Sequence, residues 1–494
     1  MTGSTTAYSS LTISPVPLVL NSSVSREERL NAILKCTSTF DHDDEEQHNL
    51  EIQAGADIAL VKMLAFLEFK TGFRRLPIKA NIEAITQEIS LTCQALEMVY
   101  HASSDSVEIS FNRVGPDLMQ IIVILMDEEV KVRTQRFNQE NSPASAASVP
   151  QNSRDVDGDF QLEENTRKGS VTPPPQGGSM SGEWDRDLML CKAVKILGHY
   201  ARVGGATRDI AHFPGLLGTT LNLINLRPFN SVPWEVRLSC IWVIANLACS
   251  TENMLMMICT PGLIHTLVNV GFRQVEPMEP LERTMEVLRA RSLVARALSN
   301  LAWSPENKIL LANNEGMVTM LSQLAIKRKS PYSRSKTMQD VLTQTRQYAV
   351  GALRNLAAAT RRSKITLCEY GDGELLDTLA DVVLNDDNEC VVEKALAAIH
   401  NLAIHDNAEV MASKPALVLA LKKQLVSDAS EGVATSKAKA HASATVLVLE
   451  RSIAPETPLY ENLRELLDAV NENKPTEDES SDLGSEYPEG VFSV

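Results

Sequence analysis

The triplet Asn-Leu-Ala occurs four times, at Asn246, Asn300, Asn355 and Asn401, at intervals of 54, 55 and 46 residues. Self-similarity on this scale constrains a fold more than local propensity does. Each copy is one supersecondary unit that cannot cover its own apolar face, so neighbouring copies must stack. Every triplet closes a helical apolar pattern and is followed by the same grammar. The stretches "STENMLMMICTPGLIHTLVNV", "SPENKILLANNEGMVTMLSQL", "TRRSKITLCEYGDGELLDTLADVV" and "HDNAEVMASKPALVLALKKQL" each read as a polar turn, a short helix, a Gly or Pro break and a second amphipathic helix. With 5% aromatic residues among abundant Leu, Ala and Val, the chain favours helices packed through aliphatic side chains over a sheet.

Weaker copies extend the pattern. One spans Gln94 to Met126, with Met98 in place of the asparagine and a break at Gly115-Pro116; "KAVKILGHYARVGG" is read with Ile196 there, and "SATVLVLERSI" with Val448. "LYENLRELLDAV" reads as a closing helix with one polar face, giving about seven units. Cys240, Ile244 and Leu247 share a helix face, as do Leu298 with Leu301 and Leu353 with Leu356. The expected organisation is an N-terminus (1–23) without order, helices and a degenerate repeat over 24–137, a disordered Ser/Pro/Gly-rich insert over 138–183, a repeat array over 184–470, and a disordered acidic tail over 471–494.

A short helix, a Gly break, a second helix and a long third helix ending in A-L-x-N-L-A resembles the armadillo repeat, here as "WVIANLA", "RALSNLA", "GALRNLA" and "AAIHNLA". The resemblance implies an all-α fold, a right-handed α-solenoid whose third helices line a concave groove. It also implies a non-enzymatic scaffold or adaptor that binds extended segments of other proteins. The family further includes nuclear-import adaptors similar to importin alpha and chaperone cofactors or exchange factors, so those two readings stay open.

In the family, an asparagine in this motif can bond the backbone of a bound peptide. An amide offers both a donor and an acceptor, which suits backbone recognition irrespective of sequence. The alternative is that Asn246, Asn300, Asn355 and Asn401 cap helix ends within their own repeats. Trp242 stands one turn before Asn246, whereas Arg296, Gly351 and Ala397 take that place in the other copies, so the regular Trp ladder of import adaptors is missing. Arg296, Trp303, Tyr348 and Lys394 complete the candidate groove, with Ser239 beside Trp242; Trp303 and Tyr348 alternatively pack between repeats. Arg237, Arg291 and Arg346 each precede an asparagine by nine residues, half a turn out of phase, and are expected to pair with acids between repeats.

The net charge of −16 is concentrated in Asp41–Glu51 and in the tail, which disfavours nucleic acid as a partner. No nucleotide-binding, nucleophile-elbow or metalloprotease motif occurs, His400 and His405 are out of phase for a shared metal and read as surface residues, and no cofactor is implied. The eight cysteines form no C-x-x-C pair, the N-terminus lacks a basic leader, and the longest apolar run, "IIVILM", is too short for a membrane span. The expected setting is reducing and intracellular, cytoplasmic or nuclear. Ser170 in "RKGSV" and Ser330 in "KRKSPYSRSK" are candidate phosphosites, and the basic Lys327-Arg328-Lys329 run is a solvated loop, an import signal or a contact for an acidic partner.

Overall fold

The computed structural model describes residues 104–140, 181–227, 231–273, 281–328, 335–426 and 436–472, together with residues 28, 31, 32, 60, 61, 92 and 93. Every regular element among the described residues is helical. The chain divides into two compact units: residues 1–196 with 225–233, and residues 197–224 with 234–494.

The first unit is organised by α1 (Ser104–Glu140), which buries Val107, Phe111, Leu118, Ile122 and Met126 along one side. The break expected at Gly115-Pro116 is absent. Pro116 lies inside the helix, where it forfeits one backbone hydrogen bond, while the burial of Leu118, Met119, Ile121 and Ile122 just beyond it favours continuation. By length and composition, Val107–Gln139 is the one helix among the described residues apolar enough to cross a membrane. It also carries the buried Glu129, which pairs with Arg133 (3.1 Å) and Arg186 (3.2 Å), while Arg133 reaches Asp187 at 2.6 Å. α2 (Ser181–Tyr200) begins, and α1 ends, three residues inside the segment expected to be disordered. Ser170, Ser330, residues 1–23 and the tail beyond Glu472 lie outside the described residues.

The second unit is a stack of three-helix repeats. After the last turn of α2 come α3 (Thr207–Ala211), α4 (Leu216–Asn225) and α5 (Trp234–Leu247), then α6 (Thr251–Ile258), α7 (Leu263–Phe272) and α8 (Leu281–Leu301). The third repeat is α9 (Pro305–Ala312), α10 (Glu315–Ala325) and α11 (Lys336–Ala357), and the fourth is α12 (Arg361–Glu369), α13 (Glu374–Asn385) and α14 (Glu389–Leu402). α15 (Ala408–Ala412), α16 (Pro415–Val426) and α17 (Ser436–Ser452) form the fifth, closed by α18 (Pro458–Glu472). Three rows result. First helices α3, α6, α9, α12 and α15 pack in succession, as do second helices α7, α10, α13 and α16, and third helices α5, α8, α11, α14 and α17. α18 ends the second-helix row by packing on α16, and it buries Leu463, Leu466 and Val470 on a single face.

The turn between first and second helices needs a positive φ, which glycine supplies. Gly262 (φ 81°) bends α6 and α7 to 89° from one another, and Gly373 (φ 87°) does the same work before α13. Repeat three uses a different device: Asn314 caps α10 by accepting from the Met317 N–H at 3.0 Å. The expected core stripes are buried, with Ile244, Leu247, Leu298, Leu301, Leu353 and Leu356 all at or below 1% exposure.

Short stacked helices leave many orphaned backbone carbonyls at their ends, and a buried asparagine serves them in the first-helix row. Asn253 Nδ2 donates to Leu247 O and to Thr207 O, both at 3.1 Å. Asn307 donates to Leu301 O and Met254 O at 3.0 Å, and Asn407 to Leu402 O at 2.8 Å and Lys364 O at 3.2 Å. In each case one carbonyl ends the repeat's preceding third helix and the other belongs to the first helix one repeat back. These three side chains are at most 1% exposed. Truncating Asn307 leaves the helix-end carbonyl unpaired, at about 1–3 kcal/mol, and removes a second hydrogen bond, worth about 1 kcal/mol, from a carbonyl that keeps its own helical partner. Asn307→Ala is therefore expected to cost roughly 2–4 kcal/mol in urea unfolding, whereas Asn313→Ala, which loses one exposed bond within α9's own last turn, changes the midpoint little.

Candidate functional site

The third helices carry the residues singled out in the sequence. Asn246, Asn355 and Asn401 use their amides in one way: Asn246 Nδ2 donates to Gly198 O (3.0 Å), Asn355 to Ser299 O (3.0 Å) and Asn401 to Arg354 O (3.3 Å). Each bond reaches the third helix one repeat back, so neither a cap within its own repeat nor a wholly free peptide-binding amide describes them. Asn300 departs from the row and donates to Cys249 Sγ at 3.1 Å. The Asn246 oxygen accepts from the Arg296 guanidinium, and Arg354 Nη2 donates to Asn355 Oδ1 at 3.1 Å. Asn246 and Asn355 are buried, while Asn300 and Asn401 are half-buried.

The acceptors also correct a register. Ser299 and Arg354 immediately precede Asn300 and Asn355, so the acceptor Gly198 places His199, and not Ile196, at the asparagine position of the earlier copy. "LGHYA" then aligns with "IANLA", with Tyr200 and Ala201 buried in the Leu and Ala places. Ile196 is fully buried. Val448 keeps its assignment, half-buried before the buried Leu449.

Trp242 is spent on its neighbour. Its ring lies over Gly198, where a Cβ would come within 2.1 Å of two ring carbons, and it meets His199 edge-on at 5.2 Å. Trp303 is 41% exposed, and Tyr348 is half-buried. Lys394 Nζ lies 3.5 Å from Gln347 O. The arginines at the ninth position back do face away from the asparagines; Arg346 pairs with an acid of the next repeat, as expected, whereas Arg237 and Arg291 grip the carboxyl ends of second helices in their own repeats, where the helix dipole favours a cation. Arg237 donates to Ile224 O, Arg291 to Arg273 O, and Arg346 holds Asp386 at 2.5 Å and 3.4 Å.

What stays open lies at the amino-terminal halves of α11 and α14. An open depression of about 620 Å³ is lined by Asp340, Thr343, Gln344, Gln347, Asp387 and Asn388 among others. Gln344 is exposed and Gln347 half-exposed, with Gln347 Nε2 bonded to Asn388 Oδ1 at 3.2 Å. Lys327 pairs with Asp387 at its rim at 3.0 Å, which assigns a structural contact to the first base of the basic run; Lys329 is outside the described residues. The sequence carries a signal for this site, as "TQTRQ" places two side-chain amides three apart on one helix face.

His400 is not a surface residue. Its ring lies 5.7 Å from that of His441, and burial first, then neighbouring cations, holds both imidazoles below the usual histidine value. The unfolded chain therefore takes up these protons first as the pH drops below about 6.5. Stability is expected to be flat above that pH and to decline below it, and the urea midpoint of a His400→Gln/His441→Gln variant should fall less steeply between pH 7 and pH 5. A second expectation concerns packing: Gly198→Ala should destabilise the stack by about 1–3 kcal/mol through overpacking against Trp242, and a double-mutant cycle with Trp242→Ala should show strong coupling.

No family model matches the chain, and no curated protein sequence matches it. Solved structures that resemble it include an engineered protein (14% identity, covering 89% of this chain and 99% of that one, TM-score 0.44). A designed armadillo repeat protein is 21% identical over 56% of this chain and 95% of its own, with a TM-score of 0.38. Another, solved in complex with the peptide (KR)4, is 20% identical over 55% and 95%, with a TM-score of 0.40. Five successive three-helix repeats stacked in three rows, with a glycine bend between first and second helices in the first, second and fourth, make the second unit an armadillo-like α-solenoid.

Proposed function

We propose that this chain is a non-enzymatic scaffold that binds extended segments of partner proteins along its row of third helices. The observation that carries this reading is the open, amide-lined depression at α11 and α14. Gln344 Nε2 and Gln347 Oε1, the amide atoms outside the bonds to Ser292 and Asn388, supply donor and acceptor to an extended backbone whatever its side chains, and the volume lies within the range of about 300–1,000 Å³ typical of binding clefts. The asparagine row contributes rigidity here, because its amides already hold adjacent third helices together. Arg296 and Lys394 flank the row on the same helices as the asparagines they accompany.

An import adaptor is the second reading, and the carboxylates of Asp340 and Asp387 in the depression favour it, since they suit a basic segment. Trp242, whose ring is occupied by Gly198, speaks against it.

Displayed random peptides selected on the full chain should yield extended segments. Filling the depression with Gln344→Trp/Gln347→Trp should weaken the selected peptides at least tenfold while helical content stays unchanged. Undiminished binding to that variant would remove the depression from the recognition surface. Enrichment of Lys- and Arg-rich segments would favour the transport reading over a general scaffold.

A further inference from the structure

The third helices α11 and α14 end in bases, and more bases gather there than a helix end needs. Arg354 lies in the last turn of α11 and His400 in the last turn of α14. His441 on α17 meets His400 across 5.7 Å. Lys308 on α9 and Lys364 on α12 come from the first helices that pack on α11 and α14. The group is tied together by backbone as well: Asn401 of α14 bonds Arg354 O at 3.3 Å. One cation per helix would satisfy the dipole of α11 and α14; here five cationic or protonatable groups arrive from five helices.

All five are half-buried, and none forms an ion pair among the described residues. The acid that faces them is Glu393, near Arg354, with Cys390 beside it. Burial, and then the proximity of the other cations, holds Lys308, His400 and His441 below their ordinary values, and burial does so for Arg354 and Lys364. Lys437 adds positive charge from His441's own helix. His400 Nδ1 is buried without a hydrogen-bond partner. A set of partly dehydrated cations held close together with so little compensating charge gains more from an arriving anion than fully solvated ones do.

We infer that Lys308, Arg354, Lys364, His400 and His441 form a binding site for an acidic polypeptide segment. The inference deepens the scaffold reading and rests on it only in that the ligand is a polypeptide; the site lies at the opposite ends of α11 and α14 from the amide-lined depression. The lysines and arginine pair with carboxylates. The histidines, neutral near pH 7, become imidazolium and join them as the pH falls.

The test is fluorescence anisotropy on the full chain with a labelled (Asp-Leu-Glu)3 peptide, and (Lys-Leu-Arg)3 as its counterpart. The acidic peptide should bind, and the basic one should not once Gln344→Trp/Gln347→Trp has filled the depression. Lys308→Gln/Lys364→Gln should weaken binding at least tenfold, Lys308→Arg/Lys364→Arg should retain it, and Lys131→Gln, an exposed site in the first unit, should leave it unchanged. Affinity should rise severalfold from pH 7.5 to 5.5, and His400→Gln/His441→Gln should abolish that rise. Gln344→Trp/Gln347→Trp should still bind the acidic peptide, so that loss of one site is separable from loss of the other. Absence of acidic-peptide binding to the wild type, equal binding of the basic peptide to the Gln344→Trp/Gln347→Trp chain, or indifference to the Lys308/Lys364 change overturns the proposal; a flat pH profile overturns the part assigned to the histidines.

Discussion

A stack of short helices is limited by its helix ends. Each terminus leaves backbone carbonyls without intrahelical partners, and burying them unpaired costs more than a typical net hydrogen bond returns. This chain meets the constraint with three sets of side-chain donors, one for each kind of helix contact. Asn253, Asn307 and Asn407 serve the first-helix row, Asn246, Asn355 and Asn401 the third-helix row, and Arg237 and Arg291 the ends of second helices. The apolar stripes drive the stacking, and the amides and guanidinia set its register, because a one-position slip would strand both donor and acceptor in the core.

That division of labour decides which surface is left for a ligand. The asparagines of the repeated triplet are largely committed to neighbouring repeats, and Trp242 is committed to Gly198. Recognition chemistry therefore shifts along the third helices, toward the glutamines at their amino-terminal halves and the bases at their carboxyl ends. The same helices carry acids at one end and bases at the other, Asp340 and Arg354 on α11 among them, an arrangement the helix dipole favours and which gives the surface a direction.

The repeat, its three helices, the Gly bends and the buried Leu and Ala positions were legible, because stacking needs an apolar stripe at helical spacing and a tight turn needs a positive φ. That Arg237, Arg291 and Arg346 face away from the asparagines was legible from helical phase, as was the pairing of Arg346 with an acid of another repeat, but the backbone partners of Arg237 and Arg291 were not. Periodicity says which face a side chain leaves from, not which helix end it meets. Asn253, Asn307 and Asn407 stood in plain view in "TENM", "PENK" and "HDNA" as parts of polar turns, and only their burial separates them from solvated turn residues. The register of the earlier copy was misplaced by three residues because Ile196 and His199 lie one helical turn apart and fit the same apolar pattern; the acceptor carbonyl of Gly198 decides between them.

By itself, then, the sequence determined an all-helical stack of three-helix repeats, since recurrent apolar stripes interrupted by glycine have no other way to bury themselves. Tertiary structure alone decided the role of each polar residue. An asparagine or arginine has the same chemistry as a lattice pin or as a ligand contact, and which one it becomes depends on whether an orphaned carbonyl from a distant repeat lies within hydrogen-bonding distance.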